Sequence, residues 1–218
     1  TGNSIDFGSL TVGRQTFATS DGSRGVFIMG FTDTIDYVTI GSAGNAIDFG
    51  DGTESRYGVP CTADSTRAIA MGGYSPAWYA GDGAGNGNIV TIEYITIQST
   101  GNAIDFGDIT EARSGGAATT NGHRGLLSGG GPGSGTSDIL DFVVIQTLGN
   151  ALDFGDLSTG RYNHAGTSDG ARGVFAGGRP PDPQTNIIEY VEIDTLGDAI
   201  DFGDLTVANH YVQATSGD

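Results

Sequence analysis

The chain contains no lysine, one tryptophan, one cysteine and no long apolar run. Cys61 stands alone, which excludes an internal disulfide and says little about compartment. Its simplest role is that of a small buried residue on a strand. No stretch of about 18 apolar residues is present, so no helical membrane span is expected. With nine arginines against 26 acids the net charge is −17, which argues against nucleic-acid binding because phosphate recognition needs a clustered positive field. Helical periodicity and Asn-x-Ser/Thr glycosylation sites are also missing. Thr1 is not an initiator methionine and no apolar signal core follows it, so the chain reads as processed or excerpted from a longer polypeptide.

What is present is a phrase written five times. It runs Gly-Asn-Ser-Ile-Asp-Phe-Gly at 2–8, Gly-Asn-Ala-Ile-Asp-Phe-Gly at 44–50 and 101–107, Gly-Asn-Ala-Leu-Asp-Phe-Gly at 149–155, and Gly-Asp-Ala-Ile-Asp-Phe-Gly at 197–203. The leading glycines are 42, 57, 48 and 48 residues apart, a period typical of modules that stack into one core. We read a single repeat domain over 1–218, with repeats at 1–42, 43–99, 100–147 and 148–195 and a partial one at 196–218.

Each period predicts four strands. The first is a small-residue stretch (17–19, 164–167) that ends in a turn pair, Asp21-Gly22, Asn121-Gly122 or Asp169-Gly170. An arginine opens the second, as in Arg24-Gly25-Val26-Phe27-Ile28, and glycines close it. The third alternates with period two (35–40, 92–97, 140–145, 188–193), and the fourth is the Ile-Asp-Phe phrase. By this count the chain opens on a fourth strand, Ser4 to Gly8, and closes on a first strand, Tyr211 to Thr215. Five complete units are therefore not encoded, and free edges could pair with another chain.

The order of arginine, small-residue strand, polar turn, apolar strand ending in Gly-Gly, strand carrying tyrosine, aromatic strand and second arginine resembles a kelch repeat. That resemblance covers essentially the whole chain and implies an all-β, kelch-like β-propeller, or an arc of one, built from four-stranded repeats of about 48 residues. Phe49, Phe106, Phe154 and Phe202 stand near the place where kelch modules put tryptophan. The phrases Gly-Asn-Ala-Ile-Asp-Phe-Gly-Asp and Ala-Thr-Ser-Asp-Gly-Ser-Arg-Gly-Val-Phe also resemble repeats in tail- or fibre-associated virion proteins of aquatic tailed bacteriophages. This likeness implies a structural or adhesive module, in a virion or extracellular setting.

Asp-Phe-Gly would place a magnesium ligand in a kinase, but kinases need a phosphate-contacting lysine and none exists. The carboxylate pairs Asp48/Asp51, Asp105/Asp108, Asp153/Asp156 and Asp201/Asp204 lack the dense alternating acids of a calcium loop. Arginine is the better partner, and Asp6, Asp48, Asp105, Asp153 and Asp201 are expected to pair with Arg24, Arg67, Arg124 and Arg172. His123, His164 and His210 fall at unrelated module positions and suggest no cluster. Because every candidate acid recurs with the module, the asymmetry that a glycosidase pocket requires is missing, and no enzyme, cofactor or metal is expected.

Loops between second and third strands vary most, and such insertions on a regular scaffold tend to carry recognition. Tyr74, Trp78, Tyr79 and Asp82 in the longest of them form the candidate ligand or partner site. The expected function is a non-enzymatic structural or adhesive part of a phage tail or fibre. Its partners would be virion subunits or a host-surface glycan, with a homo-oligomer conceivable. The alternative is an extracellular filament subunit, exchanging edge strands with its neighbours, or a carbohydrate-binding lectin of a cellular organism.

Overall fold

A computed structural model of the protein describes residues 3–75, 87–131, 135–180 and 183–215. These form sixteen strands and no helix. Sheet I contains β1 (Phe17–Ser20), β2 (Arg24–Ile28), β3 (Thr34–Thr39) and β4 (Ile47–Asp51). Sheet II contains β5 (Cys61–Ala63), β6 (Arg67–Met71), β7 (Thr91–Thr96) and β8 (Ile104–Asp108). Sheet III contains β9 (Ala117–Thr120), β10 (Arg124–Ser128), β11 (Ile139–Val144) and β12 (Leu152–Asp156). Sheet IV contains β13 (Ala165–Ser168), β14 (Arg172–Ala176), β15 (Ile187–Glu192) and β16 (Ile200–Asp204). Every sheet is antiparallel in chain order, so the phrase that opens a repeat in the sequence closes a sheet in space.

The first hairpin of each sheet follows from its turn residues. Asp21 Oδ1 accepts hydrogen bonds from the backbone N–H groups of Ser23 and Arg24 at 2.9 and 2.8 Å, while Gly22 takes φ +88°. Asn121 and Asp169 cap their turns in the same way. The expected strands at Ser4 to Gly8 and Tyr211 to Thr215 do not form. Among the described residues each segment lacks the second and third strands that complete a four-stranded unit.

Each fourth strand carries a bulge. Ile35 lies opposite Gly50 but Asp36 lies opposite Asp48, which leaves Phe49 as the extra residue; Phe106, Phe154 and Phe202 are skipped in the same way. The ring is thereby thrown towards the next sheet. Phe49, Phe106 and Phe154 are at most 3% exposed and sit edge-on to Tyr37, Tyr94 and Phe142, whereas Phe202 keeps the same contact with Tyr190 at 56% exposure. No described sheet follows sheet IV to cover it.

The core lies between sheets. Val26, Ile28, Ile35 and Phe49 of sheet I pack with Ala68, Ala70 and Ile95 of sheet II. The alternate residues Ile69 and Met71 of β6 pack instead with Phe106, Leu127 and Val143 at the junction with sheet III. Leu126, Phe142 and Phe154 meet Phe175 and Val191 between sheets III and IV. An inner sheet is thus apolar on both faces, which explains why the second strands read as continuous apolar runs.

Candidate functional site

The recurring arginine and acid side chains do form clamps, but with partners other than those expected. Asp48, Asp105, Asp153 and Asp201 are exposed, because the bulge turns the phenylalanine inward and the preceding aspartate to solvent. Asp6, also exposed, accepts only the local backbone N–H of Gly8 among the described contacts. Arg24, Arg67 and Arg124 lie over the rings of Tyr37, Tyr94 and Phe142, at 4.4, 4.5 and 4.9 Å from the ring centres. Each reaches across to the following sheet and donates to a carbonyl, that of Ile97, Ile145 or Ile193. Arg172, with no described sheet beyond it, covers Tyr190 and pairs with exposed Glu192 at 2.8 Å.

The buried ion pairs belong to the other arginine of each module. Arg14 meets Asp36 at 3.0 Å, Arg56 meets Glu93 at 3.0 Å, Arg113 meets Asp141 at 2.8 Å, and Arg161 contacts Glu189. These arginines stand on the link entering a sheet, and the acids stand on its third strand. Link threonines complete the grip: the hydroxyls of Thr11, Thr53 and Thr110 donate to Asp36, Glu93 and Asp141 at 2.6, 2.6 and 2.7 Å. Burial lowers the pKa of Arg161 and the charge of Glu189 opposes that drop.

The repeated phrase is itself a junction. Gly101 N–H donates to Phe49 O at 2.8 Å, Ala103 N–H donates to Asp51 O at 2.8 Å, and Asn102 Oδ1 accepts the Asp51 N–H at 3.1 Å. The same three bonds join Gly149, Asn150 and Ala151 to Phe106 and Asp108, and Gly197, Asp198 and Ala199 to Phe154 and Asp156. Residues 7–9 make this set of bonds with Gly44, Asn45 and Ala46. The phrase glycine is required by proximity, since a Cβ on Gly107 would stand 2.4 Å from Gly149 O, at a φ of +148°.

Of the expected loop site, Trp78, Tyr79 and Asp82 lie outside the described residues. Tyr74 is placed, and it ends a run of three rings. Phe31 stacks on Tyr57 with ring centres 4.2 Å apart, and Tyr57 leans on Tyr74 at 5.0 Å. Backbone hydrogen bonds between Tyr57 and Tyr74, at 3.0 and 2.8 Å, fix the second pair. Phe31 is 56% exposed and held at φ +64°, an unusual conformation for a bulky residue. Burial raises the Tyr57 phenol pKa, and the neighbouring Tyr74 adds to the rise. Sequence reasoning missed Phe31 and Tyr57, which sit in the shortest loop and on a link; only their distance in the fold unites them with Tyr74.

The first strands also assemble a feature. Thr19, Thr62, Thr119 and Thr167 hold equivalent registers, opposite Val26, Ile69, Leu126 and Val174. With Thr215 they border a channel of about 430 Å³ between the sheets. Cys61 also lines it; burial pushes its thiol up to about 12, so it is protonated at neutral pH and a poor nucleophile. Nearby, His164 is buried with Nε2 2.7 Å from Ser128 Oγ. Burial, aided by the Arg161 charge, drives its pKa down to about 3 and keeps the ring neutral. Among the described residues no group of three or more His, Cys, Asp or Glu side chains is arranged to hold a metal ion. No protein-family model and no curated protein matches the chain.

Proposed function

We propose that the four sheets are blades of a kelch-like β-propeller, or of an arc of one, acting as a non-enzymatic structural and adhesive scaffold. Support for the propeller comes from the first strands bordering one channel while each pair of successive sheets buries an apolar cluster between them. Support for a non-catalytic role comes from the fate of the buried acids. Asp36, Glu93, Asp141 and Glu189 are each spent on an arginine. The setting implied by the repeat phrases is a phage tail or fibre, and the alternative is an extracellular filament or a lectin.

The observation that carries the adhesive reading is the Phe31–Tyr57–Tyr74 run, whose outer ring is exposed although its backbone is strained. A flat aromatic face of this kind suits stacking on a sugar ring or docking against a neighbouring subunit. A glycan array with the native chain and with Phe31→Ser tests it. Saccharide binding that falls at least tenfold in the variant is the expected result, and equal binding by both proteins overturns the assignment.

A further inference from the structure

Sheet IV presents the junction groups that sheets I to III use, and no described residue covers them. Phe202 is 56% exposed, against 2, 3 and 2% for Phe49, Phe106 and Phe154. A Cβ on Gly203 would meet nothing within 4 Å, while one on Gly50, Gly107 or Gly155 would strike the next phrase at 2.4 to 2.5 Å. The matching receptor, Gly44-Asn45-Ala46, is held by residues 7–9 of the same chain. That occupant is poorly supported: it belongs to no strand, Ile5 is 91% exposed and Phe7 is 41% exposed.

We propose that sheet IV of one copy docks on sheet I of a second copy, with residues 198–206 replacing the second copy's residues 3–11. In this register Phe202 takes the place of Phe7, Asp204 that of Ser9, and Thr206 that of Thr11 beside Asp36. The junction hydrogen bonds are exchanged one for one. What changes is that the incoming strand is already braced by β15, and that Phe202 leaves water. Asn209 stands where the other links carry their arginine. The chain path therefore passes from Thr206 of one copy to Val12 of the next, which keeps Arg14 on Asp36, and the first copy's residues after Thr206, held within their own chain by Asn209 O on the Gly178 N–H and by Tyr211 N–H on Asn163 O, give way to the incoming link. The contact is heterologous, so copies add head to tail. A charge of −17 on each copy opposes association, which salt should therefore promote.

Sedimentation velocity over a concentration series, at low and at about 0.5 M salt, tests the proposal. The native chain should grow in mass with concentration, more so at high salt, and Phe202→Asp should weaken association at least tenfold while unfolding in urea as the native chain does. Phe31→Ser should associate normally, which separates this interface from the aromatic run. On a Cys61→Ser background, Asn45→Cys with Asp204→Cys should give disulfide-linked chains on mild oxidation. A native chain that stays monomeric throughout, an unaffected Phe202→Asp, or a cysteine pair that never links copies overturns it.

Discussion

Arg113 Nη2 lies 2.8 Å from Asp141 Oδ2, with both side chains sealed from water. The guanidinium also donates through Nε to Gly129 O at 2.8 Å, while Thr110 caps the other carboxylate oxygen. Removing one partner leaves the other charge buried and uncompensated, which typically costs about 3–5 kcal/mol, far more than a surface pair contributes. Arg113→Leu should therefore lower the unfolding free energy measured in urea by that order, and Arg113→Leu with Asp141→Leu should recover part of the loss. A single variant within 1 kcal/mol of native, on the scale of an exposed pair, would mean that the clamp is not structural.

Phe154 and Phe202 hold the same place in their sheets but differ in what covers them. Truncating a buried phenylalanine costs roughly 3–5 kcal/mol, so Phe154→Ala should approach that figure. Phe202→Ala, half exposed at low protein concentration, should cost less than about 1.5 kcal/mol. Equal losses in urea unfolding would contradict a core that lies between sheets.

Gly107 and Gly203 separate crowding from backbone strain. Both take a φ beyond +140°, where alanine carries a penalty of about 1–3 kcal/mol. At Gly107 the new Cβ also collides with Gly149 O, whereas at Gly203 it enters open space. Thermal unfolding should place Gly107→Ala well below Gly203→Ala. Matching midpoints would show that the phrase glycine answers to φ alone.

Much of this architecture is legible in the residues. Asp21-Gly22 and Asn121-Gly122 announce the first hairpin, and the alternation of 35–40 announces the third strand. Alternation misleads about Asp36, which reads as solvent-facing beside Ile35 yet is fully buried, because an adjoining segment covers that face too and brings Arg14 to it. The single-residue bulge at Phe49 is equally silent in the sequence, and it decides that Asp48 faces water. With two arginines per module, spacing alone could not choose between Arg24 and Arg14 as the ion-pair partner. The junction role of Gly-Asn-Ala was hidden because its partners, Phe49 and Asp51, lie a whole module earlier.

His164 makes the fold sensitive to acid in a window of its own. In the unfolded chain the ring takes up a proton near pH 6.5, but in the fold it resists until about 3, because burial and the Arg161 charge both disfavour the imidazolium. Its contribution to stability is complete above pH 6.5 and declines as pH falls, at up to about 1.4 kcal/mol per unit, giving a loss of about 2 kcal/mol by pH 5. Ser128 Oγ and the edge of Phe175 are the ring's other neighbours, and neither titrates there. His164→Gln keeps a hydrogen-bonding group towards Ser128 but binds no proton. Urea midpoints from pH 7.5 to 5 should fall for the native chain and stay nearly level for the variant, and parallel curves would assign the acid sensitivity elsewhere.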